Sequence, residues 1–152
     1  KDIEVVVHPQ SIIHSMVQFP DGSIMAQLST PDMRLPIQYA LTYPTRLPLD
    51  TPRINFAQLS QLSFSPPDTQ KFPALSLAYS AIERGGNIPC AMNGANEAAV
   101  KAFLEGKISF SKISEIIERV TNTIEHISNP SLEDIIETNK VAYLLAKKMI
   151  LN

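Results

Sequence analysis

Seven of the chain's twelve prolines fall between Pro31 and Pro67, the two ends included. Proline fixes φ and has no amide N–H, so a stretch this crowded can hold neither a long helix nor an inner strand of a sheet. The crowding divides the 152 residues into three parts. Residues 1–43 come first, a proline-rich connector covers 44–68, and residues 69–152 follow with prolines far enough apart to permit long helices.

At 44% hydrophobic and 18% charged, the composition is that of an ordinary globular chain, able to bury roughly two thirds of its unfolded surface. A net charge of -2 and a pI near 5.9 give nucleic acid or an anionic membrane surface nothing to recognise, since both need concentrated Lys and Arg. Uninterrupted apolar runs are short, Val5 to Val7 in the first part and Val141 to Ala146 near the end, far below the ~20 residues needed to cross a bilayer. Cys90 has no second cysteine to pair with, which fits a cytosol-like or organellar compartment better than secretion. The opening Lys1-Asp2-Ile3-Glu4 has neither the apolar core of a signal peptide nor the Arg and Ser richness of a transit peptide, and reads as cut from a longer chain.

Ile3 to Val7 is β-branched and ends at His8-Pro9, which predicts a buried strand. Ile12 to Phe19 and Ser23 to Ser29 favour strands, and Pro20-Asp21-Gly22 between them is a turn, so the two form a β-hairpin. Strict alternation puts Ile13, Ser15, Val17 and Phe19 on one face, and Ile12, His14, Met16 and Gln18 on the other. Both faces are largely apolar and need covering. A loop over 29–35 leads to a short helix that begins at Pro36 and stops before Pro44. The connector shows no period, and Leu59, Leu62 and Phe64 are its expected anchors.

Beyond Asp68 the apolar spacing turns helical. Leu75, Ala78, Tyr79 and Ile82 mark one helix, stopped by Gly85-Gly86. A second is expected from an Asn93 cap through Phe103 to Gly106, and a third from about Ser111 through Ile113, Ile116, Ile117 and Val120. Ser131 with Asp134 is a capping box for a fourth, carrying Ile135, Ile136, Val141, Leu144, Leu145 and Met149. The whole reads as α+β, a hairpin and short helix followed by a small antiparallel helical bundle.

Complete chemistry is hard to find in these residues. His8 and His14 lack the Cys, Asp or Glu neighbours of a zinc site. No Gly-rich phosphate loop and no Gly-x-Ser-x-Gly elbow occurs.

Four stretches nevertheless form a pattern: HPQSIIHSMV at 8–17, DGSIMAQLSTPDMRLPIQYALTYPTR at 21–46, NGANEAAVKAFL at 93–104 and KISFSKI at 107–113. Together they resemble the 1-deoxy-D-xylulose 5-phosphate reductoisomerases, from the end of the catalytic domain through the carboxy-terminal helical domain. The resemblance implies an enzyme of non-mevalonate isoprenoid biosynthesis. Such an enzyme converts 1-deoxy-D-xylulose 5-phosphate to 2-C-methyl-D-erythritol 4-phosphate with NADPH and Mg²⁺ or Mn²⁺.

It also implies what is missing. The nucleotide-binding domain, the metal-binding carboxylates, the main phosphate-binding residues and the mobile active-site loop are all expected upstream of Lys1. The chain alone is then inactive, with no catalytic residue, no metal ligand and no tightly bound cofactor, and Asp21 and Asp32 are not substitutes. Ser11, His14, Pro31 and Met33 are implied to line the substrate and nicotinamide pocket, with Met33 as a polarizable, adaptable wall. Residues 1–43 belong by resemblance to an α/β catalytic domain whose hairpin, 12–29, makes a homodimer contact. The implied partners are the amino-terminal portion of the enzyme and a small phosphorylated sugar, in a bacterial cytoplasm or a plastid-type organelle.

Simpler roles compete at several positions. His8 reads as structural, Asn93 and Asn96 as helix-capping and first-turn residues, and Arg34 as a salt-bridge partner near the Pro36 helix start. For the chain as a whole, the rival readings are a non-catalytic dimerisation or support module and a distinct helical binding protein.

Overall fold

The computed structural model describes residues 3–151, and the chain divides into two compact units with the boundary between Pro67 and Asp68. The proline-rich stretch therefore falls inside the first unit.

In the first unit β1 (Ile13–Gln18) and β2 (Ile24–Leu28) form an antiparallel hairpin. Its turn closes with the Phe19 N–H on the Ser23 carbonyl and the Gly22 N–H on the Phe19 carbonyl, both at 2.9 Å. Asp21 Oδ1 accepts from the Ser23 N–H at 2.9 Å and the Ser23 hydroxyl at 2.6 Å. Those bonds favour the charged carboxylate and hold Asp21 below the usual carboxylate range.

The alternation expected along β1 is broken. Ile13 pairs with Leu28 but Ser15 pairs with Gln27, so His14 is an extra residue in a β-bulge. An odd residue reverses the facing of everything on one side of it. Ile13 consequently shares a face with Met16 and Gln18, while Ser15 goes with Val17.

The buried strand expected at Ile3 to Val7 does not form. These five residues are exposed, and only Val7 pairs, exchanging backbone bonds of 2.8 and 3.0 Å with Ser65. The ladder cannot extend because Pro66 and Pro67 follow Ser65 with no N–H to donate.

Helix α1 (Arg34–Thr42) starts two residues ahead of Pro36, which sits in its first turn, and ends before the cis Tyr43-Pro44 bond. The connector contains one further turn of helix, α2 (Phe56–Leu59), capped by Asn55 Oδ1 accepting from the Ala57 and Gln58 N–H groups at 3.1 and 3.3 Å. Leu59 and Leu62 are half-buried, while Phe64, 48% exposed, stacks on the His8 ring.

The second unit comprises α3 (Ala74–Arg84), α4 (Ile88–Leu104), α5 (Phe110–Thr123) and α6 (Leu132–Leu151). Helix α4 is central and touches the other three. It begins at Ile88 with Pro89 in its first turn, five residues before the expected Asn93 start. Asn93 is therefore not a cap. It lies on the exposed mid-helix surface and donates to Glu97 Oε1 at 3.2 Å, one turn on. Asn96 likewise lies mid-helix rather than in a first turn.

The capping box at α6 forms as the spacing predicts. Asp134 Oδ2 accepts from the Ser131 N–H at 2.9 Å, and Ser131 Oγ accepts from the Asp134 N–H at 3.1 Å.

Small residues dominate the core. Ala91, Ala95, Ala98 and Ala99 of α4 and Ala142 and Ala146 of α6 are buried together with Ile116, Ile117 and Val120 of α5. The large residues expected along α6 divide: Leu145 and Met149 pack against this core and Ile135 is half-buried, while Ile136, Val141 and Leu144 remain exposed. The side of α6 turned to α4 must be thin where the two helices nearly touch. At Gly94 an added Cβ would stand 2.7 Å from the Asn139 carbonyl oxygen, 3.0 Å from Asn139 Oδ1 and 3.3 Å from the Ala142 Cβ.

Asn87, fully buried just ahead of α4, ties the helices to the α5–α6 loop. Its Nδ2 donates to the Glu125 carbonyl at 3.0 Å and to Thr138 Oγ1 at 3.1 Å, its Oδ1 accepts from the Ile127 N–H at 3.0 Å, and its own N–H reaches the Ile127 carbonyl at 3.1 Å.

Gly94→Ala separates the intrinsic helix preference from this close approach. Alanine is the better helix former by about 1 kcal/mol, yet overpacking against Asn139 is expected to leave a net loss of about 1–3 kcal/mol. Urea unfolding followed by circular dichroism at 222 nm measures it, and an unchanged or raised midpoint contradicts the packing described.

Candidate functional site

The first unit contains a cleft of about 900 Å³. Ser11 lines it from the approach to β1, His14 from β1 itself, and Gln27 and Leu28 from β2. The loop carrying Thr30, Pro31, Asp32 and Met33 forms a second side, backed by Leu35, Pro36 and Tyr39 of α1. Arg46 and residues 51–54 of the proline-rich stretch supply the third. All four residues singled out from the sequence, Ser11, His14, Pro31 and Met33, thus line one cavity.

Ser11 has φ 50°, in the left-handed region. For a residue with a Cβ that conformation costs about 1–2 kcal/mol and persists only where the surroundings hold it. His14 is the bulge residue, and its Nδ1 lies 3.0 Å from the Ile12 carbonyl oxygen. A carbonyl can only accept, so Nδ1 carries the proton and Nε2 is left free to accept a hydrogen bond in the neutral ring. The Ile12 carbonyl also accepts from the Ser29 N–H at 3.1 Å, which fixes the bulge to the start of the loop.

Met33 is 70% exposed, so within the described residues it anchors no core. Beside it, the Asp32 carboxylate accepts from Arg34 Nε at 3.0 and 3.1 Å, from Arg34 Nη2 at 2.6 Å and from the Arg34 backbone N–H at 2.9 Å. This is the salt bridge expected of Arg34 near the helix start. The Arg34 side-chain hydrogen bond first, then its backbone N–H, holds Asp32 below the usual carboxylate range, and Asp32 in turn raises Arg34. An occupied carboxylate of this kind orders the loop and is poorly placed to ligate a metal. Among the described residues, no three His, Cys, Asp or Glu side chains converge as a ligand set.

Sequence reasoning did not single out Tyr39, Arg46 or Thr51, which also line the cleft. The Arg46 guanidinium lies 4.0 Å from the centroid of the Tyr39 ring. Thr51 is buried and its hydroxyl has no hydrogen-bond partner among the protein groups. Thr30 Oγ1 donates to the Pro52 carbonyl at 3.1 Å, tying the Pro31–Met33 loop to the opposite wall. Tyr39 and Arg46 fall inside the 21–46 stretch, and that was the one available signal for them.

Cys90, in the helical unit, is half-buried and donates to the Ile135 carbonyl at 3.3 Å. Burial pushes its thiol upward, away from the thiolate a nucleophile needs. No helix among the described residues is long and apolar enough to cross a membrane.

The profile of the DXP reductoisomerase C-terminal domain matches residues 28–144. The chain belongs to that family. Among curated proteins, the 1-deoxy-D-xylulose 5-phosphate reductoisomerase of Lachnospira eligens is 54% identical over 91% of the chain and 37% of its own length. The corresponding protein of Phocaeicola vulgatus is 50% identical over 99% of the chain and 39% of its own length. Among solved structures, the Zymomonas mobilis reductoisomerase in complex with NADPH superposes with a TM-score of 0.85 at 44% identity, over 97% of the chain and 39% of that protein. A DOX-P reductoisomerase in complex with NADPH, fosmidomycin and magnesium gives 0.85 at 37% identity, over 96% of the chain and 38% of its length. The DXP reductoisomerase C-terminal domain chain thus spans well under half the length of the relatives it matches, and its α+β fold is theirs over that span.

The Asp32–Arg34 pair makes a pH prediction. A carboxylate whose folded value is depressed contributes stability above its unfolded value and loses it as pH falls through the folded one. A ¹³C NMR titration should therefore place the Asp32 carboxyl midpoint below that of a model peptide, and Arg34→Ala should bring it back. An undisplaced midpoint in the native chain would show that the pair does not persist in solution.

Proposed function

We propose that this chain is the carboxy-terminal part of an NADPH- and divalent-metal-dependent reductoisomerase that converts 1-deoxy-D-xylulose 5-phosphate to 2-C-methyl-D-erythritol 4-phosphate. Its contribution is one wall of the active-site pocket. The observation that carries the reading is the gathering of Ser11, His14, Pro31 and Met33 around one cleft, in a chain whose relatives bear that activity in their names.

Within the cleft, Pro31 and Met33 offer an apolar surface suited to a nicotinamide face, and the thioether adapts to a ligand without a fixed hydrogen-bond geometry. Ser11 and His14 offer a hydroxyl and an imidazole Nε2 for a polar substrate. The hydride of the reaction comes from NADPH when it is bound. This chain's own groups orient and enclose. No step is assigned to a metal here, because the carboxylate of Asp32 in the cleft wall is taken up by Arg34 and no ligand set converges among the described residues. We place the metal ligands and the nucleotide-binding domain on the amino-terminal portion of the enzyme.

The hairpin fits a homodimer contact in the same proposal. Val17 and Met25, paired on one face of the hairpin, are each more than half exposed, an apolar surface suited to burial against a second copy.

The test uses purified chain with 1-deoxy-D-xylulose 5-phosphate, NADPH and Mg²⁺ or Mn²⁺, following NADPH absorbance with and without the amino-terminal portion of the enzyme. We expect no consumption by the chain alone and recovery on mixing. Consumption by the chain alone would overturn the placement of the catalytic groups. No recovery on mixing, where an intact relative is active, would count against this chain completing the pocket.

A further inference from the structure

Ser11 reaches the cleft on a turn whose shape is set from the far end of the same unit. Its N–H closes that turn on the His8 carbonyl at 3.0 Å, which leaves its backbone in the left-handed region. Left-handed geometry in a serine relaxes unless its neighbours are held, and here the two polar residues ahead of it, His8 and Gln10, are held by Ser63 and Phe64.

His8 Nδ1 donates to the Ser63 carbonyl at 2.9 Å, and its ring stacks on Phe64 with centroids 4.8 Å apart and planes 20° apart. Gln10 Nε2 donates to Ser63 Oγ at 2.8 Å, while Gln10 Oε1 accepts from the Ser63 hydroxyl at 3.2 Å and the Ser63 N–H at 3.4 Å. Val7 and Ser65 exchange both backbone bonds alongside. Pro9, between the two held residues, has its φ locked by its ring. Neither His8, Gln10, Ser63 nor Phe64 lines the cleft.

We propose that His8, Gln10 and Ser63 form a clamp that positions Ser11 for the cleft's ligand without touching that ligand. The proposal rests on the cleft being the substrate and nicotinamide pocket. Ser63 is the centre of the clamp, since its carbonyl, N–H and hydroxyl are all engaged. Losing the Gln10 amide frees two of those three groups to water and lets the turn relax, which swings the Ser11 hydroxyl away from the pocket while leaving the helical unit untouched.

The experiment has two arms, both on the assembly of this chain with the amino-terminal portion. In the first, amide exchange at Ser11 is measured by NMR in the native chain and in Gln10→Ala. Ser11 should exchange about tenfold faster in the variant, with the β1 and β2 amides unchanged. In the second, kcat and KM for 1-deoxy-D-xylulose 5-phosphate are measured in a double-mutant cycle of Gln10→Ala and Ser11→Ala. Gln10→Ala alone should lower kcat/KM about tenfold, chiefly through KM, but add less than about twofold once Ser11 is already alanine, because the two act as one unit. Ser63→Thr, which keeps the hydroxyl, should retain the activity that Ser63→Ala loses. Multiplicative effects of Gln10→Ala and Ser11→Ala, or a kcat/KM unmoved while Tm falls, would overturn the clamp. If the native assembly has no reductoisomerase activity, the functional reading fails. The exchange at Ser11 then decides the clamp alone, and an unchanged rate rejects it.

Discussion

A protein unit stands by itself only where it removes enough apolar surface from water to offset the entropy of ordering its chain. In this molecule the buried apolar side chains among the described residues all lie between Ala81 and Ala146. The helical unit meets the requirement with a seam of alanines between α4 and α6 and the isoleucines of α5, closed at one end by the buried Asn87 network. In residues 3–67 the one buried side chain is Thr51, a polar one. That unit is held by hydrogen bonds, turns and a few ring contacts, while the hairpin presents apolar side chains to solvent on both faces. A surface of that kind calls for a covering partner, and the proposed function supplies two: the amino-terminal portion of the enzyme, and a second copy at the hairpin.

The parts of this fold that were legible in the sequence are those decided locally. Pro20-Asp21-Gly22 needs only its own backbone and the Asp21 carboxylate to make a turn. Ser131 and Asp134 cap each other three residues apart, and Arg34 finds Asp32 two residues away. What the sequence concealed depends on distant neighbours. The bulge at His14 reflects how β1 registers on β2, which no alternation rule can reveal. Asn93 has the chemistry of a cap, but Pro89 and the Asn87 network start α4 earlier. The apolar residues of α6 were expected inward by type, whereas close approach at Gly94 admits alanine there and leaves Ile136 and Leu144 outside.

The candidate site follows the same division. Composition and spacing pointed to no chemistry, and Ser11, His14, Pro31 and Met33 came forward only through a family resemblance. The structure adds why a shared cleft is possible. The Thr30–Pro52 hydrogen bond brings the proline-rich stretch back against the Pro31–Met33 loop, so Tyr39, Arg46 and Thr51 join residues well before them in the chain. The proline crowding that first divided the sequence thus forms a wall of the pocket as well as a connection. On this account the two units divide the labour. One buries its own apolar core, and the other leaves surfaces that, under the proposed function, complete an active site assembled from elsewhere.

The most direct test of that division is residue-resolved hydrogen–deuterium exchange of the 152-residue chain, alone and with the amino-terminal portion of the reductoisomerase. The account predicts that in the isolated chain the hairpin amides exchange at least about a hundredfold faster than those of α4, because local opening there costs little apolar burial, and that adding the amino-terminal portion slows the hairpin but not α4. Hairpin amides as protected as α4 in the isolated chain, or indifferent to the added portion, would contradict it.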